Sequence, residues 1–180
     1  MEILLVGSGS ALPEKIVSND DLAKIVDTSD EWISTRTGIK ERRICEKESL
    51  SALSTLAAKR ALDAAKVDAE DIDLIVAGTT TADKSFPGCA CEVQAGIGAS
   101  HAVCFDVSAA CSGFVFALHS AECMMRAGGY HSALVLGADA FSRVLDWSDR
   151  STCVLFGDGA GAVVLKAKES ERVVDGILGT

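Results

Sequence analysis

The chain has 180 residues, 48% of them hydrophobic and 5% aromatic, and its 17 Lys+Arg against 26 Asp+Glu leave a formal net charge of −9. A single domain of this length buries about 70% of its unfolded surface, so it needs neither a disulfide nor a metal to hold it together. The acidic balance argues against a nucleic-acid partner, which needs a basic footprint, and two prolines in so apolar a chain argue against disorder.

In chain order, Ile3 to Val6 is predicted as a short buried strand ending in a Gly7-Ser8-Gly9 turn. Ser18-Asn19-Asp20 caps a short helix over Leu22 to Val26. Thr28-Ser29-Asp30-Glu31 starts a second helix, which carries Trp32 and Arg36 and stops at Gly38. Ile39 to Ile44 is polar and alternating, as an exposed strand or extended segment would be. Ser49 opens a long helix to about Ala65, with Leu53, Leu56, Ala57, Ala61 and Ala64 in one apolar stripe. Asp73 to Gly78 has the composition of a fully buried strand. A loop to Phe86-Pro87, a short helix through Val93 to Ile97 and a strand over Val103 to Val107 follow. A helix from Cys111 to about Ala127 is closed by Gly128-Gly129 and leads to a strand at Ala133 to Gly137. Cys153 to Phe156 and Ala162 to Leu165 flank Gly157-Asp158-Gly159-Ala160-Gly161 and read as a hairpin. This alternation implies an α/β domain over 1–180, with a mixed, mainly parallel five-stranded sheet and helices on both faces.

Seven cysteines in irregular spacing, with C-x-C at Cys89 and Cys91 as the closest pair, do not make a zinc pattern. Met1-Glu2-Ile3 lacks the basic start of a signal peptide. The uncharged stretch Val107 to Ala121 is too short and too rich in Ser to span a bilayer. A cytoplasmic protein with free thiols is expected. The mean hydropathy of +0.26 is high, so something must cover the apolar excess.

The unit from Val103 through Cys111 carries the chemistry. It places Cys111 at a helix N-terminus, where unpaired N–H groups and the helix dipole favour a thiolate. The neighbours Ser108, Ala109, Ala110, Ser112 and Gly113 are small. They would let the backbone approach a substrate carbonyl and offer N–H groups to an oxyanion. The alternative reading is a buried cysteine capping a core helix. The helix that follows is apolar on nearly every face and is expected to be buried. No base is evident: His119 lies eight residues into the same helix, about 12 Å along its axis, and His101 and His131 sit at strand edges. Gly7-Ser8-Gly9 lacks the third glycine of a dinucleotide fingerprint, and Gly157 to Gly161 lacks the Lys-Ser/Thr of a P-loop. Trp32 and Arg36 share a helix face within a basic cluster that includes Lys40, Arg42 and Arg43. That face could stack a base and pair a phosphate, or be an ordinary solvated charge face.

Taken together, Asp27-Thr28-Ser29-Asp30-Glu31-Trp32-Ile33, Thr35-Arg36-Thr37-Gly38-Ile39, Phe86-Pro87, Asp106-Val107-Ser108-Ala109-Ala110-Cys111-Ser112-Gly113 and Phe156-Gly157-Asp158-Gly159-Ala160-Gly161-Ala162 resemble the amino-terminal half of a β-ketoacyl-acyl-carrier-protein synthase III, one of the thiolase-like condensing enzymes. The resemblance covers essentially the whole chain. It implies a thiolase-like half-fold in which Cys111 takes an acyl group from acyl-CoA as a thioester, with the Cys111 N–H as one oxyanion donor. Malonyl-ACP would then lose CO2 and attack that thioester. It implies that Thr28, Trp32, Arg36 and Arg150 hold coenzyme A. Phe86 would cross a homodimer interface to close the partner's acyl pocket, and Phe156 would line the acyl side. No cofactor is bound permanently, acyl-CoA being a substrate, and neither nucleic acid, membrane nor metal is involved. The resemblance places the family's catalytic His and Asn in a carboxy-terminal half beyond Gly179-Thr180, which makes this the half with the nucleophile, inactive alone. The alternatives are a related condensing enzyme of secondary metabolism, a non-catalytic interaction half and a thiol redox protein.

Overall fold

The computed structural model describes residues 1–168; the remainder of the expected 1–180 domain, with Gly179 and Thr180, lies outside the described residues. Five strands, β1 (Glu2–Ala11), β4 (Leu74–Gly78), β5 (Val103–Val107), β6 (Ser132–Ala140) and β7 (Asp158–Lys168), form one sheet in the order β1-β7-β6-β4-β5. β4 pairs in parallel with β5 and β6, whereas β7 is antiparallel to both β1 and β6. Only β7 therefore runs against the other strands, and the sheet is mixed and mainly parallel, as expected. β2 (Lys15–Ser18) and β3 (Glu41–Ile44) form a separate antiparallel pair. Helices α3 (Leu50–Ala65) and α4 (Cys89–Ile97) cover one face of the main sheet, and α5 (Gly113–Ala127) covers part of the other.

The caps behave as the sequence implies. Ser49 accepts the Ala52 N–H and starts α3. Ser29 accepts the Trp32 N–H and starts α2 (Asp30–Thr37), which Gly38 ends in the left-handed conformation at φ 74°. Helix α1 (Asn19–Leu22) ends where a helix over Leu22 to Val26 was expected to begin. A capping box between Ser18 and Asp21 fixes its start, and the chain beyond Leu22 closes in turns onto the Leu22 carbonyl.

Glycine explains the largest departures from the sequence reading. Gly7-Ser8-Gly9 does not end β1, which runs on to Ala11. A Cβ at Gly7 would lie 2.5 Å from the Ala61 carbonyl oxygen, and one at Gly9 would lie 2.4 Å from the Ala61 nitrogen. The glycines let α3 rest on the strand backbone. The helix turns its small side chains Ala57 and Ala61 onto β1, so Leu53, Ala57 and Ala61 of the expected stripe are buried while Leu56 (41% exposed) and Ala64 face out.

The expected hairpin around Gly157 to Gly161 is absent. Arg150–Cys153 forms a short helix, α6, and Gly159 and Gly161 lie inside β7, zipped between Ser10 of β1 and Gly137 of β6 at Gly161. The Ile39 to Ile44 segment does contain a strand, but Arg42 is only 6% exposed. Helix α5 buries Gly113, Ala117, Ala121 and Met125 on the sheet and leaves Val115 and Phe116 exposed, so its all-round apolar character is only partly covered among the described residues.

Gly7→Ala is expected to lower stability by about 1–3 kcal/mol, the usual range for overpacking. Gly161→Ala, whose Cβ would meet nothing within 4 Å, is expected to change it by about 0.5 kcal/mol or less. Urea unfolding midpoints of the two variants check this.

Candidate active site

Cys111 lies just beyond β5 in a 3-10 turn, Ala110–Ser112, one residue before the Ser112 N-cap of α5 rather than within the helix. Ala110 adopts φ 46°, a left-handed conformation that costs a non-glycine residue of order 1 kcal/mol. The turn is held from below. A Cβ on Gly78, the last residue of β4, would sit 2.4 Å from the Gly113 carbonyl carbon, so the start of α5 rests directly on the strand end. Cys111 is exposed and opens onto a cavity of about 700 Å³. Gly9, Gly137, Gly159 and Gly161 leave the cavity's sheet side open, and Phe114 and Asp139 add its bulkier walls.

Two aspartates that sequence reasoning did not assign hold this region. Asp139 Oδ1 accepts from the Thr80 N–H at 2.9 Å and the Thr81 hydroxyl at 2.8 Å, fixing the loop after β4. Asp106 accepts the Cys89 and Ala90 N–H groups at 2.7 and 2.8 Å, capping α4 in place of Gly88, which has no side chain to do so. The position of Asp106 five residues before Cys111 was visible, but its partners are far off in sequence.

Cys111 and Cys123 are the exposed cysteines. Burial pushes the Cys45 thiol up to about 12, with Asp158 adding to it, and the Cys89 and Cys104 thiols up to about 11; Cys153 is also raised, chiefly by burial. The three histidines are exposed and none lines the cavity; His119 Nε2 is 3.6 Å from Cys123 Sγ on the outer face of α5.

Trp32, Arg36 and Arg150 come together elsewhere. The Arg36 and Arg150 guanidinium carbons lie 4.5 and 4.7 Å from the Trp32 ring centroid. Arg150, far along the chain on α6, is tied down by a 2.9 Å bond to the Asp27 carbonyl. Arg42 makes that proximity possible. It donates to the Val17 carbonyl, to Asn19 Oδ1 at 2.8 Å and to the Val154 carbonyl just after α6, and Asn19 in turn donates to Asp30 of α2 at 2.8 Å. Burial lowers the Arg42 pKa, and its Nε has no partner among the described residues. Thr28 Oγ1 is likewise buried without a partner among the described residues. Phe86 is 86% exposed, and Phe156 stacks on Phe141 with centroids 5.0 Å apart. None of Thr28, Trp32, Arg36, Arg150, Phe86 or Phe156 lines the cavity beneath Cys111.

Residues 105–180 match the family model for 3-oxoacyl-[acyl-carrier-protein] synthase III. The chain is 52% identical over 176 residues to β-ketoacyl-[acyl-carrier-protein] synthase III of Clostridium acetobutylicum, covering 98% of this chain and 54% of that protein. Among solved structures, 3-oxoacyl-[acyl-carrier-protein] synthase III of Aquifex aeolicus superposes with a TM-score of 0.91 at 51% identity, over 94% of this chain and 55% of that one. The priming β-ketosynthase of a polyketide biosynthetic pathway superposes with a TM-score of 0.90 at 40% identity, over 93% and 51%. The chain thus spans about half the length of the curated relatives it matches, and its fold is the thiolase-like half that the motifs imply.

Two measurements follow from this geometry. Iodoacetamide at neutral pH is expected to modify Cys111 and Cys123 first and Cys45, Cys89, Cys104 and Cys153 slowly, because partly or fully buried thiols held protonated are poor nucleophiles; peptide mapping over time reads the order. Asp83 anchors the loop that carries Phe86. Burial acts to raise its pKa, but the Ser51 N–H, Arg143 and the Leu50 N–H outweigh burial and hold it at about 2, below the ordinary 3.8. A depressed folded-state value means that its stabilisation is complete above 3.8 and is lost as pH falls through about 2. Asp83→Asn is therefore expected to be less stable than the parent at pH 5, with the difference closing over that window in denaturant titrations.

Proposed function

We propose that this chain, which belongs to the β-ketoacyl-acyl-carrier-protein synthase III family through the amino-terminal half, carries the acyl-accepting part of a decarboxylative condensing enzyme. The observation that supports it best is the exposed Cys111 on a strained turn above an open, glycine-walled cavity. A Cys111 thiolate attacks the thioester carbonyl of acyl-CoA, coenzyme A leaves as its thiol, and the acyl group stays on sulfur. Malonyl-ACP then loses CO2, and the resulting carbanion attacks the acyl thioester and frees Cys111. Small residues around the turn leave room for the carbonyl oxygen to reach a backbone N–H, that of Cys111 in this reading.

Coenzyme A is assigned to Thr28, Trp32, Arg36 and Arg150. The two guanidinium groups already lie over the Trp32 ring, so an adenine stacked on that ring replaces one of these contacts and leaves its phosphates beside the other. The unpaired Thr28 hydroxyl fits a polar ligand. The enolate-stabilising His and Asn are expected from a carboxy-terminal half, which would also cover Val115 and Phe116 of α5. Exposed Phe86 suits a homodimer contact. We place the protein in the cytoplasm, at the initiation of fatty acid synthesis.

Joining the chain to the carboxy-terminal half of the Clostridium acetobutylicum relative and incubating it with radiolabelled acetyl-CoA tests this reading. Label is expected on Cys111 and its loss in Cys111→Ala; label on another residue would overturn the site. Trp32→Ala in the same protein is expected to weaken coenzyme A binding about 5- to 150-fold, the equivalent of ~1–3 kcal/mol of base stacking, measured by calorimetry.

A further inference from the structure

A second thiol cluster lies apart from the cavity. Cys91 is in the first turn of α4 and Cys104 is on β5; both are partly exposed, and their sulfurs are 3.1 Å apart. The frame around them is built. Residues 102, 104 and 106 meet α4 in succession. Asp106 binds the N–H groups of Cys89 and Ala90, and the Ala102 carbonyl accepts the Gln94 side-chain amide at 2.7 Å. Between these two ties the Cys104 S–H donates to Cys91 Sγ, with Gln94 Oε1 3.4 Å from Cys104 Sγ. Packing and hydrogen bonds on both sides thus hold the sulfurs together without a covalent link.

We propose that Cys91 and Cys104 are an oxidisable dithiol, which hydrogen peroxide converts to a disulfide that staples α4 to β5. The Cys91 thiolate attacks one peroxide oxygen, giving a sulfenic acid and a hydroxide that takes up a proton. Cys104 then attacks the Cys91 sulfur. The S–S bond forms, the S–O bond breaks, and the departing hydroxide leaves as water with the Cys104 proton. Two thiols and one peroxide become one disulfide and two waters, with two electrons passing from sulfur to peroxide. The surroundings assign the roles: Cys104 has both Cys91 Sγ and Gln94 Oε1 within reach of its S–H and is the sulfur held protonated. That thiol, pushed up to about 11 by burial and by the contact with Cys91, is disfavoured for the first attack.

Trypsin cannot map the link, because no Lys or Arg occurs between Lys84 and Arg126. The full chain, treated with a small excess of hydrogen peroxide and blocked with iodoacetamide, is instead cut after Glu92 and Asp106 with glutamyl endopeptidase. This separates Cys91, Cys104 and Cys111. The expected product is a Cys91–Cys104 peptide pair, lighter than its parts by two hydrogens and released by dithiothreitol. Cys104→Ala, checked for an unchanged circular dichroism spectrum, is expected to lose the link completely and to accumulate sulfinic acid at Cys91. Free Cys91 and Cys104 after peroxide, or Cys91 joined to Cys111 or to a second chain, would overturn the proposal.

Discussion

Direct contact between helix and strand backbones sets the spacing of the layers in this fold. Where α3 crosses β1 and where α5 begins over β4, there is no room for a side chain on the strand, and glycine stands at both crossings. Close packing of this kind leaves little freedom for small shifts. Seating the start of α5 on Gly78 also fixes the turn before it, and with it the height of Cys111 above the sheet. The sulfur is thus positioned by contacts among residues with almost no chemistry of their own.

The Trp32 face is positioned by a different kind of interaction. Arg42 is buried with its charge spread over carbonyl oxygens and one asparagine, and among the described residues it is not paired to a carboxylate. Such an arrangement satisfies a charged group only if several chain segments hold their places at once. Those segments are β2, α1 and the end of α6, and their mutual position keeps Arg150 over Trp32. The Cys111 turn and the Trp32 face therefore rest on separate supports, one steric and one polar.

Features written locally were legible in the sequence. Ser29 and Ser49 sit directly before the helices they cap, and the apolar run Leu74 to Gly78 is buried throughout. Cys111 and the Trp32–Arg36 pair could be found from spacing alone, whereas Arg150 came only from resemblance. Features that depend on distant partners were misread. Gly7-Ser8-Gly9 and Gly159 to Gly161 carry the composition of turns, and only the helix and strands that land on them show that they belong to strand interiors. Arg42 looked like a surface charge because its partners Asn19 and Val154 lie 23 and 112 residues away. The roles of Asp106 and Asp139 were hidden for the same reason.

Strand order also constrains the sequence of events in assembly. In the main sheet β1 pairs with β7 alone, Glu2 opposite Lys168 and Ala11 opposite Ala160. Among the described residues β1 therefore has no partner in this sheet until β7 has been made. Until then it rests chiefly on α3, and the ring of contacts that closes at β7 carries the largest loop-closure cost in the sheet. β7 is the last strand of the described sheet to be synthesised and the only one that joins β1 to the rest of it.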